Sequence, residues 1–223
     1  MTWNTAAAQR STLTEIANAM EAVDADILAL QEIDVGTTRS AGQNQPAELA
    51  DALGYDFVFA EALPTEGGAY GLAVLSRLPF SSVRRLRLRP ELSSEPRIAI
   101  DVSVCSDGAE IRLINTHIDY KSDAASDQLE GLGLVLGVLS GPVFLLGDLN
   151  ATPDDSGLEA LLVETEFVDL LESRDPGSTQ GSRRIDYILG SETVDDRVIG
   201  AGHIDTAASD HRIVWVDVEG EAG

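Results

Sequence analysis

Short apolar or alternating segments, each bounded by glycine, proline or acidic residues, constrain the fold of this chain more than any other feature. Runs of about four to eight such residues predict β-strands, since successive side chains of a strand point to opposite faces. The pattern predicts strands over Ile27 to Leu30, Tyr55 to Ala60, Leu72 to Leu75, Ile98 to Val104, Ile111 to Asn115, Val143 to Leu146, Ile185 to Leu189, Val198 to Ile204 and Ile213 to Val218. The chain is therefore expected to fold around β-sheets.

Helical periodicity is confined to two segments. Thr12 to Glu15 matches a capping box, and apolar residues follow it at helical spacing from Ile16 to Val23. A second helix is predicted over Ser126 to Leu139 despite its three glycines. These elements predict an α/β or α+β fold with mixed or antiparallel sheets. Since no linker or internal repeat divides the chain, a single domain over residues 1–223 is expected.

Composition excludes several classes of protein. Apolar residues make up 43% and charged residues 24% of the chain, as in globular proteins, and the single cysteine, Cys105, permits no intrachain disulfide. The longest uncharged stretch, Gly131 to Gly147, falls short of the ~20 residues of a transmembrane helix. No secretory signal is visible, so a cytoplasmic location without membrane insertion is expected. The 38 acidic residues against 15 Lys plus Arg give a net charge of −23, which disfavours nucleic acid as a partner.

Polar side chains recur at the ends of the predicted strands, where a scaffold can hold them rigidly. Any one of them alone would more often be a turn residue, a helix cap or a surface group. The set combines hard oxygen donors with imidazoles, which suits Mg²⁺ or Mn²⁺ and the hydrolysis of a phosphate ester. Its members are Asn4, Glu32, His117, Asp148, Asn150, Asp186, Asp210 and His211.

These residues lie in segments that resemble the endonuclease/exonuclease/phosphatase superfamily, which includes deoxyribonuclease I-like enzymes. Each segment is short, but their order and spacing match the family over nearly the whole chain. The segments are Thr2 to Asn4, Leu30 to Glu32, Gly71 to Pro79, Asn115 to His117, Gly147 to Asn150, Arg184 to Ile188 and Ser209 to His211. The resemblance implies a four-layer sandwich, in which two mixed β-sheets lie face to face and are flanked by helices.

The resemblance also implies a role for each residue. Glu32 would be the main metal-binding carboxylate, with Asn4 beside it. Asp210 would be a further ligand or would orient the water held by the metal. Asp148 would position and deprotonate the attacking water, although His211 is an alternative base.

The remaining roles concern the phosphate. The resemblance implies that His211, oriented by a pair with Asp186, faces the developing negative charge. His117 would contact a non-bridging phosphate oxygen, and Asn150 would bind the phosphate or the water. Arg184 is a further predicted phosphate-binding residue, because it lies two positions before Asp186 and could share its face of a strand.

Three functions remain open from the sequence. A metal-dependent phosphoesterase acting on a small phosphodiester or phosphomonoester is favoured. An endonuclease or exonuclease acting on DNA or RNA is the alternative within the same enzyme class, and its basic surface would have to come from residues such as Arg84 and Arg85, which are expected to face solvent. A non-catalytic binding module with the same fold is the alternative from another class.

Overall fold

A computed structural model describes residues 1–89, 95–106 and 108–220, which contain two six-stranded β-sheets. The strands are β1 (Thr2–Asn4), β2 (Ile27–Val35), β3 (Asp56–Thr65), β4 (Gly68–Ser76), β5 (Phe80–Arg87), β6 (Ile98–Ser106), β7 (Ala109–His117), β8 (Val143–Asp148), β9 (Phe167–Asp169), β10 (Asp186–Ser191), β11 (Val198–Ile204) and β12 (Ile213–Val218). The α-helices are α1 (Leu13–Val23), α2 (Gln45–Leu53), α3 (Ser122–Leu136), α4 (Ser156–Thr165) and α5 (Glu192–Asp195).

Both sheets are mixed. The first has the order β11-β12-β1-β2-β4-β3 and the second the order β5-β6-β7-β8-β10-β9. Each contains one parallel pair, β1 with β2 and β7 with β8, while the other paired strands run antiparallel.

The two sheets and the helices on their outer faces form four layers, and an apolar cluster lies between each neighbouring pair of layers. The cluster between the sheets contains Val74 of the first sheet and Ile100 of the second. A second cluster packs α1 and α2 on the outer face of the first sheet, and a third packs α3 and α4 on the outer face of the second. The predicted four-layer sandwich is therefore confirmed, and the two inner faces meet as the alternation of strand residues requires.

Local signals located the helices with different accuracy. The capping box at Thr12 and Glu15 is present and begins α1. Helix α3 begins four residues before the predicted Ser126, because its polar first turn has no apolar periodicity to mark it, and it ends at Leu136 rather than Leu139. Helices α2, α4 and α5 were not predicted. None of the helices within the described residues is long and apolar enough to cross a membrane.

The arginines of β5 lie on an edge strand and face outward, as expected. Arg84 is largely exposed and forms an ion pair of 2.8 Å with Asp101, which Arg112 also binds at 2.6 Å. Leu86 on the same strand packs against the α3 and α4 cluster. This strand is therefore solvated, and the charge of Arg84 is already paired.

A tight approach between two strands occurs at Gly147, one residue before Asp148. Gly147 pairs with Thr116 across β7 and β8 and has a φ of +139°. A Cβ atom at Gly147 would lie 1.9 Å from the carbonyl oxygen of Thr116. The position therefore requires glycine, both for the backbone conformation and for the space.

Replacing this glycine should cost stability. Gly147→Ala is expected to lower the free energy of unfolding by ~2 kcal/mol or more, because the new methyl group must displace the Thr116 backbone and strain φ. Urea denaturation measures the change. Gly131→Ala on α3 is the control, since its Cβ would meet only ordinary contacts and should leave stability equal or higher. Equal midpoints for Gly147→Ala and the wild type would contradict this account.

Candidate active site

The polar residues predicted from strand ends meet at one edge of the sandwich. In the second sheet, parallel pairing places His117 opposite Asp148, and antiparallel pairing places Asp186 opposite Asp148. Asp148 therefore has His117 on one side and Asp186 on the other. The first sheet brings Asn4 from the end of β1 and His211 from just before β12 to the same edge.

Glu32 reaches this edge from inside a strand rather than from its end. The sequence predicted that the strand stops at Leu30, but β2 continues to Val35. Its register with β4 shifts between Leu30 and Ile33, and Glu32 has a φ of +55°. Such bulges redirect a side chain and occur next to active sites. The irregularity thus turns the Glu32 carboxylate into the cleft.

One amide group joins carboxylates from the two sheets. Asn4 Nδ2 donates to Glu32 Oε1 and to Asp148 Oδ2, each at 3.0 Å. Its Oδ1 accepts a hydrogen bond from the Ala6 backbone N–H at 3.0 Å. Asn4 therefore bridges Glu32 and Asp148 in this structure, and its assignment as a metal ligand stays a prediction.

A buried histidine–aspartate pair lies beside Asp148. His211 Nδ1 is 2.9 Å from Asp186 Oδ2, and its Nε2 lies 3.8 Å from Asp148 Oδ2. Burial alone would lower the pKa of His211, but the hydrogen bond and charge of Asp186, with smaller contributions from Asp148 and Asp210, raise it to about 9. The imidazole is therefore cationic at neutral pH.

The backbone around this pair is anchored from three directions. Trp3 Nε1 donates to the His211 carbonyl oxygen at 3.0 Å. Ser209 Oγ accepts from the His211 backbone N–H at 3.2 Å and donates to the Asn4 carbonyl oxygen at 2.7 Å. Thr179 Oγ1 accepts from the Asp186 backbone N–H at 3.0 Å. These bonds hold the imidazole and its partner carboxylate in one orientation.

The surroundings of Asp148 disfavour the charged form of its carboxyl group. Burial and the nearby Asp186 carboxylate raise the pKa of Asp148 to about 7, while His211 and Asn4 oppose the rise. His117 Nε2 lies 3.5 Å from Asp148 Oδ2, but burial, with the charges of Arg97 and His211, lowers the pKa of His117 well below its usual range. His117 is therefore neutral near pH 7, in contrast to His211.

Asn150 follows Asp148 in a left-handed turn, with a φ of +47°. Its backbone N–H donates to Asp148 Oδ1 at 3.0 Å, and its Nδ2 donates to the Ile118 carbonyl oxygen at 3.0 Å. The turn thus fixes both the Asp148 carboxylate and the Asn150 amide at the cleft, whose volume is about 410 Å³. The cleft is lined by Glu32, Tyr70, Glu95, Arg97, His117, Tyr120, Asp148, Asn150, Gln180 and His211.

The position of Arg184 differs from the one predicted from the sequence. The expectation that it shares a strand face with Asp186 was wrong, because β10 begins at Asp186 and the alternation of a strand does not extend back to Arg184. The guanidinium lies over the Tyr187 ring and binds Asp169, with Nη1 at 2.5 Å from Oδ2 and Nη2 at 2.7 Å from Oδ1. Arg184 does not line the cleft.

Asp210 lies at the margin of the site rather than among its lining residues. It contacts Arg10 at 3.5 Å and accepts a hydrogen bond of 3.4 Å from Gln180 Nε2. Its predicted role as a metal ligand stays a prediction.

Sequence reasoning missed several residues that line the cleft, among them Tyr70, Arg97, Tyr120 and Gln180. Gln180 contacts His211 Nε2 at 2.7 Å from an irregular segment that no strand signal marks. Arg97 had a usable signal, since it directly precedes a strand. In an antiparallel pair, the start of one strand lies at the same edge as the end of its neighbour. Arg97, just before β6, is not among the predicted site residues, most of which follow strands or lie just before the strand Ile213 to Val218.

The donor set fits a hard divalent cation. Glu32 and Asp148 offer carboxylate oxygens to the same cleft. The pKa of Asp148 is raised because burial and Asp186 disfavour its charged form, and a bound cation would stabilise that form. Asp148, Asp186 and His211 also offer ligand atoms within 4.8 Å of one another, but Asp186 and His211 already bind each other. Glu32 and Asp148 accept hydrogen bonds from the Asn4 amide, and Asp148 also from a backbone N–H, but a carboxylate has about four lone-pair sites, so both keep oxygen lone pairs toward the cleft.

A second cavity, of about 450 Å³, lies at the opposite end of the same strands, near Ile27, Phe144 and Val216. Its lining is mainly apolar and contains no histidine. The two histidines of the candidate site and the carboxylates of Glu32 and Asp148 therefore line the candidate-site cleft and not this cavity.

Comparison with known proteins agrees with this architecture. A search of curated protein sequences gives no match. Among solved structures, an endonuclease/exonuclease/phosphatase from Beutenbergia cavernae has a TM-score of 0.78 at 24% identity, covering 96% of this chain and 69% of that one. The mannosyl-6-phosphatase Bt3783 of Bacteroides thetaiotaomicron has a TM-score of 0.73 at 18% identity, covering 95% of this chain and 91% of that one.

A similar fold also occurs in a nuclease. An AP endonuclease from Archaeoglobus fulgidus has a TM-score of 0.75 at 19% identity and covers 98% of both chains. At these identities the likeness concerns the fold alone. The sequence model of the Endonuclease/Exonuclease/phosphatase family matches residues 1–211. The site at the sandwich edge thus lies within the matched region, and the chain belongs to the endonuclease/exonuclease/phosphatase family.

Proposed function

We propose that this chain is a divalent-metal-dependent phosphoesterase that hydrolyses a small phosphodiester or phosphomonoester. The observation that carries the proposal is the position of Asp148, which lies between neutral His117 and the charged His211–Asp186 pair and is linked through Asn4 to Glu32. A buried carboxylate whose pKa lies near 7 suits a group that takes a proton at neutral pH.

The residues divide the reaction between them. Glu32 would hold Mg²⁺ or Mn²⁺, with Asp210 and Asn4 as further candidate ligands, and the cation would neutralise phosphate charge and lower the pKa of water. Asp148 accepts a proton as the water oxygen forms a bond to phosphorus and the ester P–O bond breaks. His211, oriented by Asp186, stabilises the negative charge that develops on the phosphate. His117 and Asn150 hold the phosphate. His211 could replace Asp148 as the base only in its neutral form, which its pKa of about 9 disfavours at neutral pH.

The charge of the chain favours a small substrate over a nucleic acid. Proteins of similar fold include an AP endonuclease and a mannosyl-6-phosphatase, so the fold alone does not distinguish a nucleic-acid substrate from a small phosphate ester. A duplex is held by many Lys and Arg side chains that neutralise phosphates. This chain has 15 such residues against 38 acidic ones, and Arg84 and Arg184 are already paired with aspartates. The cleft is therefore better suited to one or two phosphates than to a polyanion.

A panel of chromogenic phosphomonoesters and phosphodiesters, assayed with Mg²⁺, with Mn²⁺ and with chelator, tests the proposal. Metal-dependent hydrolysis that chelator abolishes is the expected result. Hydrolysis of nucleic acid, but of none of the small esters, would establish the nuclease alternative. The absence of hydrolysis of every ester and nucleic acid, by folded protein with metal, would instead favour the non-catalytic binding module.

Binding to DNA gives a separate expectation. We expect a dissociation constant for undamaged duplex DNA weaker than ~10⁻⁴ M at ~150 mM salt. The reason is that 15 Lys plus Arg against 38 acidic residues leave little positive charge to neutralise DNA phosphates and release their counterions. Fluorescence anisotropy with a labelled duplex, in Ca²⁺ to suppress turnover, measures it. Micromolar binding that weakens steeply with salt would favour the nuclease.

A further inference from the structure

The sheet register brings Arg97 to the active-site edge. Arg97 directly precedes β6, and its carbonyl oxygen accepts a hydrogen bond of 3.0 Å from the Leu88 N–H. The β6–β7 ladder pairs Ala99 with Thr116. Because the strands run antiparallel, the start of β6 lies beside the end of β7, where His117 projects into the cleft. Arg97 therefore lines the cleft next to His117.

The Arg97 side chain is buried but not fully satisfied. It is 6% exposed, and Nη2 lies 2.8 Å from Glu95 Oε1. Its Nε is buried and has no hydrogen-bond partner within the described residues. A buried donor without an acceptor is costly, and a charged one more so. The guanidinium has five N–H donors and lines the cleft, so it offers donors beyond the one bound by Glu95 to an anionic ligand there.

Arg97 brings positive charge to a cleft that several carboxylates line. Glu32, Glu95 and Asp148 contribute carboxylates, and no other arginine or lysine lines the cleft within the part of the chain that the structure describes. The Arg97 charge already acts on His117, whose pKa it helps to lower. In a chain of net charge −23, a phosphate dianion needs such a local cation to approach.

We propose that Arg97 binds a non-bridging oxygen of the substrate phosphate and makes the cleft selective for phosphomonoesters over phosphodiesters. A phosphomonoester is a dianion with three non-bridging oxygens, whereas a diester is a monoanion with two. The planar guanidinium fork can donate to the additional oxygen. This inference rests on the proposed function, and it names the substrate class of the same site.

Binding of inorganic phosphate to the full chain, by titration calorimetry in the presence of Mg²⁺, is the first test. Arg97→Gln should weaken binding at least ~10-fold, the loss expected for one charge-assisted hydrogen bond to a buried charge, and Arg97→Lys should weaken it less. Arg84→Gln is the matched control, because Arg84 is likewise paired with a carboxylate, that of Asp101, but lies on the edge strand. Equal phosphate affinity in Arg97→Gln and the wild type would overturn the proposal.

Glu95→Gln separates substrate binding from a merely structural ion pair. If Arg97 only supports the fold through Glu95, both variants should lose affinity for phosphate alike. If Arg97 binds phosphate, Glu95→Gln removes a neighbouring negative charge and should leave affinity equal or higher. This variant also keeps the proposal testable should Arg97→Gln fail to fold, since a loss of phosphate affinity in Glu95→Gln would overturn it.

The kinetic arm compares a p-nitrophenyl monoester with the matching bis(p-nitrophenyl) diester. The ratio of their kcat/KM values should fall at least ~10-fold in Arg97→Gln and stay unchanged in Arg84→Gln. An unchanged ratio in an active enzyme would overturn the selectivity. If the wild type hydrolyses neither ester yet binds phosphate in an Arg97-dependent way, the proposed function fails while the assignment of Arg97 is supported.

Discussion

Asp148→Asn should lower the turnover of the preferred ester by ~10²–10⁴-fold, because the amide cannot accept the proton of the attacking water. The substitution keeps the shape of the side chain, and Asn150 and Asn4 remain as its neighbours. Burial and Asp186 disfavour the charged form of Asp148, so the neutral amide should not unfold the protein. Steady-state kinetics with circular dichroism of the same samples checks both statements.

The control for this variant is Asp196→Asn, which changes an exposed aspartate at the end of α5 and should keep full activity. His211→Ala alone should also cost ~10²–10⁴-fold, since it removes the charge that faces the phosphate. The double variant should lose less than the product of the single losses, because both groups act on one water and one phosphate. Wild-type turnover in Asp148→Asn would exclude Asp148 as the base and favour His211.

Glu32→Gln should reduce turnover at limiting Mg²⁺ by at least ~10²-fold, because a hard cation is held mainly by charged oxygen ligands. The amide can still accept and donate hydrogen bonds, so the contact with Asn4 need not be lost. The measurement is activity as a function of Mg²⁺ and Mn²⁺ concentration. The expected signature is a shift of the half-saturating metal concentration to higher values, with partial recovery at high Mn²⁺.

Glu61→Gln provides the matched control, since Glu61 is an exposed glutamate on β3 of the same sheet. It should leave the metal dependence unchanged. A Glu32→Gln variant with wild-type metal dependence and turnover would show that the cation is held elsewhere. The alternative donors would then be Asp148, Asp186 and His211, whose ligand atoms lie within 4.8 Å of one another.

The strand segments, and the polar residues that follow them, could be predicted from the sequence because both patterns are local. A strand that is apolar on its inner face shows its period within a few residues, and β11 and β12 match the predicted bounds. The contact predicted between His211 and Asp186 is present at 2.9 Å. The boundaries of β2 and α3 were less accurate, since a bulge and a polar helical turn interrupt the periodicity on which the prediction depends.

The sequence by itself determined which residue types follow the strands, and hence the family and the class of chemistry that the edge can support. Only the tertiary structure decided which of these side chains meet. Arg184 and Arg97 both precede apolar segments, yet Asp169 holds the first away from the cleft, while the β6–β7 register brings the second beside His117. The physical reason is that strand pairing joins segments distant along the chain, so register and direction, which no local pattern encodes, select the residues that share an edge.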